Sequence, residues 1–293
     1  MSLRGGIPNE AEAIQNLRLL RALRALAMTH AAVFLMGLVV GSFLNVLIHR
    51  LPKDESILRP HRSYCPRCGH DIAWYDNIPV LSFILLGGKC RHCRERISWR
   101  YLFVELASGG LWLGSWIGSG GSSVFWVSVV FTSLLLVGLV TDFETGLIPD
   151  EITLGGSLVG LGASFFLPEL HQTSLSTAAV GKSLLGLLVG GGIIYLTGLA
   201  GNWIFQRELM KRGLEQSMGG GDVKLLAMVG AFLGWEKVLL VFFTAPFLGL
   251  PFALYQRFAK KEAVIPYGPF LSIAAGVYFF YGQSVWNYFI ARM

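Results

Sequence analysis

Long apolar segments recur along almost the whole chain and constrain its fold more than any other feature. A helix needs about 20 apolar residues to cross the hydrocarbon core of a bilayer. About eight segments approach this requirement: 28–49, 101–117, 124–141, 152–167, 183–205, 223–233, 238–255 and 265–290. With 53% hydrophobic and only 14% charged residues, the composition excludes an ordinary water-soluble protein. The sequence therefore predicts an all-α polytopic membrane protein with about eight transmembrane helices, in which the short sixth segment turns tightly at Gly234 into the seventh.

Basic residues are concentrated in alternate connections, which predicts the orientation of the chain. Connection 50–100 holds ten of the 24 Lys and Arg residues. If this connection is cytoplasmic, the basic connections near 207–212 and 257–261 also lie inside, whereas the opposite connections contain only Lys182 and Lys237. We interpret the net charge of +6 as a topology signal and a contact with lipid headgroups. It does not indicate a nucleic-acid partner.

The same patterns divide the chain into four regions. Residues 1–27 are predicted to form an amphipathic segment at the membrane interface, because Arg18, Arg21 and Arg24 recur at helical spacing among apolar residues. This topology places the segment outside, although its arginines favour the inside. Residues 28–49 form the first transmembrane helix, and residues 50–100 form a cytoplasmic lobe, which we call the cysteine lobe. Residues 101–293 form the main membrane-embedded domain.

All four cysteines lie in the cysteine lobe, as two C-x-x-C pairs. Cys65 and Cys68 are separated from Cys90 and Cys93 by 21 residues, a spacing typical of a tetrahedral four-thiolate zinc site. A cytoplasmic lobe with few core residues needs such a structural metal, and reducing conditions disfavour disulfides there. We therefore predict a small zinc-ribbon-like lobe. Three histidines, His61, His70 and His92, are expected to face solvent or lie around the metal ligands.

Two acidic residues at the ends of apolar segments are the strongest candidates for a reactive site. Asp142 lies in TDFETGLIPD and Asp222 lies in GGGDVKLL, both at the predicted cytoplasmic face. Acidic groups at membrane depth usually mark functional sites, and two adjacent carboxylates can share one proton at neutral pH. That state suits aspartic peptide hydrolysis. The alternative is that each residue only caps a helix.

Other polar residues near these segments have simpler interpretations. Glu144, Asp150 and Glu151 form a negative rim beside Asp142, in which Asp150 is expected to cap the fourth segment and the two glutamates to be solvated. Lys224 is expected to extend toward lipid headgroups. For Asn45 and Glu105 we expect hydrogen bonds between helices, with a role in methyl transfer as the minor alternative. Glycines 190–192 predict close helix packing, and glycines 219–221 predict a tight backbone before Asp222.

Taken together, these motifs resemble bacterial type IV prepilin peptidases, which are membrane aspartic proteases of the GxGD type. The resemblance rests on GSFLNVLIHRLP from residue 41, NIPVLSFILLGGKC between the cysteine pairs, ISWRYLFVE from residue 97, DFETGLIPDEIT, GGGDVKLL and IPYGPFLS, and it covers about residues 37–272. The family often has RGRC before the second cysteine pair, where this chain has GGKC.

This resemblance implies a multi-pass enzyme of the bacterial inner membrane. It would remove the short basic leader of type IV prepilins or type II secretion pseudopilins and then N-methylate the new amino terminus with S-adenosylmethionine. Asp142 and Asp222 would be catalytic, residues 101–293 would be the peptidase domain, and the four cysteines would bind zinc. No Rossmann-type glycine motif is present in the sequence, so only the resemblance implies S-adenosylmethionine. The resemblance places its site in the neighbourhood of the cysteine lobe, and the residues of that site stay unknown at this stage.

Three alternatives remain open from the sequence alone. The first is a peptidase without methyl transfer. The second is a proton- or ion-coupled transporter that uses the aspartate pair, although transport sites usually lie near the membrane midplane rather than at its surface. The third is a zinc-bearing scaffold of a secretion complex without catalytic activity.

Overall fold

The structure is a computed structural model that describes residues 10–59, 63–211, 218–256, 258 and 266–292. Ten α-helices are described. They are α1 Glu10–Arg50, α2 Leu81–Leu85, α3 Trp99–Ser119, α4 Val124–Thr145, α5 Asp150–Phe166, α6 Ser176–Ile204, α7 Gln206–Lys211, α8 Gly220–Leu233, α9 Trp235–Tyr255 and α10 Gly268–Ile290. Short 3-10 helices lie at Leu51–Lys53, Trp74–Asn77 and Pro168–His171. The described residues pair as β-structure only in two isolated antiparallel bridges.

Each of the eight predicted segments coincides with one of these helices, and the part of the chain that the structure describes has the all-α architecture that was predicted. Four helical stretches in the described residues are long and apolar enough to cross a membrane: 18–53, which includes most of α1, and the whole of α4, α6 and α9. Of the others, α5 has 17 residues and α8 has 14, so both are shorter than a usual span. The eight crossings therefore stay a prediction.

The boundary that the sequence predicted between residues 27 and 28 does not correspond to any break in α1. α1 continues from Glu10 to Arg50 without a break at residues 27 and 28. Residues 18–28 are exposed, including Leu19, Leu23 and Met28. Residues 1–9 and His61 lie outside the described residues, as do residue 212 of the connection near 207–212, residues 257 and 259–261 of the connection near 257–261, and residue 265 of the last segment.

The main core lies around α8. Leu225, Leu226, Met228 and Val229 of α8 are fully buried, and they pack with residues of α4, α6, α9 and α10. Because neighbouring helices cover α8 on several sides, this short helix exposes little surface to solvent or lipid. A single residue, Gly234, connects α8 to α9 and has a φ of +80°, which confirms the tight turn predicted at this position.

A second core joins the N-terminal helices to this bundle. It contains Leu44 and Ile48 of α1, Val104 of α3, and Val137 of α4. The side-chain amide of Asn45 donates a hydrogen bond to the backbone carbonyl of Tyr101 at 3.1 Å, which ties α1 to α3. The C-terminal end of α1 therefore lies beside the N-terminal end of α3.

Candidate active site

Asp142 lies in the last turn of α4 and is 7% exposed. Its Oδ2 atom accepts a hydrogen bond of 2.9 Å from the backbone N–H of Gly268, the first residue of α10. α4 ends three residues later, and Gly146 follows with a φ of +67°. The side chain is therefore held at the point where the end of α4 meets the beginning of α10.

Asp222 lies in the first turn of α8, where the partial positive charge of a helix N-terminus favours a carboxylate. A Cβ atom at the preceding residue, Gly221, would lie 3.2 Å from the Cβ atom of Ile148, so the glycine permits a close approach as predicted. The Oδ1 atom of Asp222 is buried and has no hydrogen-bond partner in the described part of the chain.

The structure brings these two aspartates into one cluster, although 80 residues separate them in the sequence. Their carboxyl groups are close enough to interact electrostatically. Ile148 lies against Gly221 on one side and Gly268 on the other. Tyr267 directly precedes Gly268 and is close enough to Asp222 to interact with it electrostatically, so Tyr267 lies beside the same cluster. A carboxyl pair of this kind has the composition needed for acid–base chemistry on one bound water.

The predicted negative rim around this cluster is largely neutralised, and our interpretations of Asp150, Lys224 and Glu144 were wrong. Asp150 does not cap a helix: it is the first residue of α5, no side chain caps this helix, and its two oxygens each lie 2.7 Å from Nζ of Lys224. Lys224 therefore pairs with Asp150. Glu144 accepts a 2.6 Å bond from Arg100, so it is not a free solvated charge. Such partners lie far away in sequence, where no local pattern reveals them.

Both polar residues of α1 and α3 form the contacts between helices predicted for them: Asn45 bonds to the backbone of Tyr101, and the Glu105 carboxyl group interacts with the hydroxyl group of Ser42 on α1. Oε2 of Glu105 also accepts a 2.7 Å bond from the backbone N–H of Val80, so Glu105 connects α3 to the cysteine lobe as well. Val80 has a φ of +62°, an unusual value for a β-branched residue.

The four cysteines converge, as their spacing predicted. Their Sγ atoms all lie within 4.8 Å of one another, and those of Cys65 and Cys93 are 3.9 Å apart. Tetrahedral zinc with Zn–S bonds near 2.3 Å requires sulfur separations of about 3.8 Å. The four thiols are free cysteines, without disulfides. This cluster fits a metal ion such as zinc.

The two C-x-x-C pairs sit in matching loops of the cysteine lobe. In the first, the N–H of Gly69 bonds to the carbonyl of Cys65 at 2.8 Å, and in the second the N–H of Arg94 bonds to that of Cys90 at 3.0 Å. Gly69 and Arg94 both have a positive φ. His70 and His92 are exposed and stack with ring centroids 3.7 Å apart, in agreement with a position outside the ligand set.

The sequence reasoning did not assign Gly268, Tyr267 or Arg100 to the site. Tyr267 and Gly268 were noticed only as part of the motif IPYGPFLS. A backbone N–H donor leaves no side-chain signature, so the role of Gly268 required the structure. Arg100 is the second residue of α3 and belongs to ISWRYLFVE, but its partner Glu144 is 44 residues away.

These features define a class: an all-helical membrane protein with a carboxyl pair at one end of its bundle and a four-cysteine lobe beside it. Comparison with known proteins agrees with this class. Residues 35–118 match the family description "Bacterial Peptidase A24 N-terminal domain", and residues 129–254 match "Type IV leader peptidase family". No solved structure matches the chain.

Similar curated proteins are each named "Prepilin leader peptidase/N-methyltransferase". One from Burkholderia pseudomallei (strain 1026b) is 35% identical, covering 94% of this chain and 93% of its own length. One from Pseudomonas aeruginosa is 34% identical, covering 86% and 90%. One from Myxococcus xanthus is 39% identical, covering 78% and 64%. The chain belongs to the type IV leader peptidase family, and these comparisons give no support to the transporter considered above.

Proposed function

We propose that this protein cleaves the leader of type IV prepilins or type II secretion pseudopilins at the cytoplasmic face of the bacterial inner membrane, and then N-methylates the new amino terminus. The observation that carries the proposal is the meeting of Asp142 and Asp222, each from the end of a different helix. Family membership and the names of the relatives supply the substrate class. The distribution of basic residues supports the cytoplasmic side.

For cleavage, we assign Asp142 and Asp222 as the catalytic pair. With one proton shared between them, the ionised carboxyl group removes a proton from water, and the protonated group donates to the scissile carbonyl. The pair titrates as a unit, so the roles are assigned to the pair rather than to either residue. The N–H of Gly268 holds Asp142 in position. No covalent intermediate with the enzyme is required.

For methyl transfer, the substrate is the α-amino group released by cleavage. When bound, S-adenosylmethionine would supply the methyl group for this nitrogen in exchange for a proton, and S-adenosylhomocysteine would leave. We assign Cys65, Cys68, Cys90 and Cys93 as ligands of a structural zinc ion. The proposed units are residues 1–27, 28–49, 50–100 and 101–293, as divided above, with the peptidase in the last.

The test is the replacement of each aspartate by its amide. Asp142→Asn and Asp222→Asn keep the side-chain shape and remove the ionisable group. We expect each to lower leader cleavage of a co-expressed prepilin by at least about 100-fold, measured by intact mass of the substrate. Asp76→Asn in the cysteine lobe is the matched control and should cleave normally. Cleavage at the normal rate in either catalytic variant, with normal membrane abundance, would contradict the proposal.

A further inference from the structure

Lys182 and Lys237 are the two lysines that the sequence places in the connections opposite the cytoplasmic ones, and the structure brings them together. Lys182 lies in α6 and Lys237 lies in the first turn of α9. Both are close enough to His171, and to each other, to interact electrostatically. We call these three side chains the lysine cluster. The 14 residues of α8, which cover about 20 Å, separate it from Asp222, so it lies at the opposite end of the bundle from the candidate active site.

His171 contacts the other parts of the lysine cluster through its backbone and its ring. Nζ of Lys182 donates a 3.1 Å bond to the backbone carbonyl of His171. Nε2 of the His171 ring lies 2.8 Å from Oγ of Ser164, and a Cβ atom at Gly234 would lie 3.2 Å from Nδ1 of the same ring. The ring is therefore held between the end of α5 and the turn that connects α8 to α9, three residues before Lys237.

Lys237 carries a charge that the described part of the chain does not neutralise. The residue is only 9% exposed, and its side chain packs against α10, where a Cβ atom at Gly282 would lie 3.1 Å from Cδ of Lys237. The neighbouring Glu236 interacts with it electrostatically. The Lys237 ammonium group nevertheless forms no hydrogen bond or ion pair with another described residue. Because a buried ammonium group without a partner costs free energy, an anion that reaches it gains affinity.

The start of α9 adds hydrogen-bond donors to the lysine cluster. Gly234 precedes this helix, and no side chain caps it. The backbone N–H groups of the first turn, which includes Lys237 itself, have no partners within a helix and favour a negative charge. Side chains of a helix also lean toward its N-terminus, which directs the Lys237 side chain to the same end. Two ammonium groups beside an uncapped helix N-terminus suit an anion with several acceptor oxygens, such as a phosphate group.

Aromatic residues near the lysine cluster are of the kind found at lipid headgroups. Trp235, at the start of α9, and Trp286 pack edge to face with ring centroids 5.8 Å apart. Trp286 lies about one turn after Gly282, which contacts Lys237. Phe166, the last residue of α5, is 77% exposed. Because tryptophans at the ends of membrane helices usually lie at headgroup level, the phosphate of a lipid can reach this end of the bundle.

We propose that the lysine cluster is a phosphate-binding site at the end of the bundle opposite the aspartates. Lys182 and Lys237 donate hydrogen bonds to the phosphate oxygens, and the N–H groups at the start of α9 contribute further donors. An anionic phospholipid and free inorganic phosphate both supply this chemistry. The site is independent of the proposed function, because neither cleavage nor methyl transfer, as assigned above, uses these residues.

The experiment measures the binding of both phosphate sources to the purified, zinc-loaded full chain in a maltoside detergent, which contains no phosphate. Native mass spectrometry gives the affinity for phosphatidylglycerol, with diacylglycerol as the phosphate-free lipid. Thermal unfolding with added inorganic phosphate, against chloride at equal ionic strength, tests the free anion. The variants are Lys182→Met, Lys237→Met and the control Lys53→Met, which removes an exposed lysine at the cytoplasmic end of α1.

We expect Lys182→Met and Lys237→Met each to weaken the binding of phosphatidylglycerol at least about tenfold, because each removes a charge-assisted hydrogen bond. Lys53→Met should bind it as the wild type does, and diacylglycerol should not distinguish the four proteins. Methionine keeps the part of the Lys237 side chain that packs against Gly282. Lys182, which is only half-buried, provides the second test if Lys237→Met folds poorly.

The two probes distinguish the source of the phosphate group. Phosphatidylglycerol binding that depends on both lysines, without stabilisation by inorganic phosphate, would identify a lipid headgroup as the ligand. Stabilisation by inorganic phosphate that is lost in both lysine variants, without a preference for phosphatidylglycerol over diacylglycerol, would identify a soluble phosphate. Wild-type affinity for phosphatidylglycerol in Lys182→Met and Lys237→Met, together with an equal response of all variants to inorganic phosphate, would overturn the site.

Discussion

At the scale of single residues, Gly268 has a role that its lack of a side chain makes possible. A Cβ atom at this position would lie 2.7 Å from Oδ2 of Asp142 and 2.9 Å from Cδ1 of Ile148. We therefore expect Gly268→Ala to displace the Asp142 carboxyl group and to lower the cleavage rate about tenfold or more, because small errors in catalytic geometry are costly. The readout is the rate of leader removal from a purified prepilin.

Gly276→Ala is the matched control for this change. It lies on the same helix, and a Cβ atom there meets no other atom within 4 Å. This variant should cleave at the wild-type rate. Equal rates for Gly268→Ala and Gly276→Ala would show that Asp142 does not depend on its contact with α10.

His171 is a residue whose burial should make stability depend on pH. It is 5% exposed, one of its ring nitrogens, Nε2, lies 2.8 Å from Oγ of Ser164, and burial together with the charges of Lys237 and Lys182 lowers its pKa to about 4. Below its ordinary pKa of 6.5 the unfolded chain gains a proton that the folded protein does not bind until about pH 4. Stability from this residue is therefore present above pH 6.5 and lost as the pH falls toward 4.

The expected loss approaches about 1.4 kcal/mol per pH unit within that window. Thermal unfolding in detergent between pH 7 and pH 4 should show the decline, and His171→Gln should flatten it. His30→Gln, on α1, is the control and should leave the decline unchanged. An identical pH profile for His171→Gln and the wild type would exclude a contribution from His171.

At the scale of helices, glycines decide how closely α6 and α8 approach. A Cβ atom at Gly230 of α8 would overlap the backbone carbonyl of Gly186, and one at Gly190 would overlap the carbonyl of Leu226. The prediction from glycines 190–192 is thus confirmed for Gly190, whereas Gly192 meets nothing within 4 Å. Small residues allow this backbone contact in membrane helices, where packing rather than hydrophobic burial drives association.

We expect Gly230→Ala to destabilise the protein by about 3 kcal/mol or more, because a backbone neighbour cannot move aside as a side chain can. Gly192→Ala should have little effect on stability. The comparison is made by thermal unfolding of both variants in the same detergent. A Gly230→Ala variant as stable as Gly192→Ala would mean that the two helices are farther apart than the structure places them.

Most of the helices could be predicted from the sequence, because apolar length is a local signal. The predicted segment 124–141 became α4, Val124–Thr145, and 101–117 became α3, Trp99–Ser119. The cysteine cluster was predictable for the same reason, since each ligand pair is local. The Arg100–Glu144 and Lys224–Asp150 pairs were not predictable, because they depend on helix packing across 44 and 74 residues. The same holds for the bond from Gly268 to Asp142.

At the scale of the whole molecule, the cysteine lobe and the helix bundle obtain their stability from different sources. Within residues 52–99, Cys65 and Ser82 are the only buried residues that the structure describes. The bundle instead has extensive apolar cores. A lobe with so little buried surface cannot offset the entropy of ordering its chain, so we expect a metal ion on the four cysteines to supply much of its folding free energy.

Removal of the metal should therefore unfold the lobe and leave the bundle folded. We expect one zinc ion per chain by elemental analysis. After chelation, trypsin should cleave the lobe rapidly near Arg91, Arg94 and Arg96. The thermal unfolding transition of the bundle should shift by only a few degrees. Trypsin should cleave the lobe of Cys68→Ser rapidly even without a chelator. The lobe of the control variant Ser63→Ala should resist trypsin as the wild type does. A metal-free lobe that resists trypsin would show that its fold depends on contacts with α3, such as the Glu105–Val80 bond, rather than on the thiolate cluster.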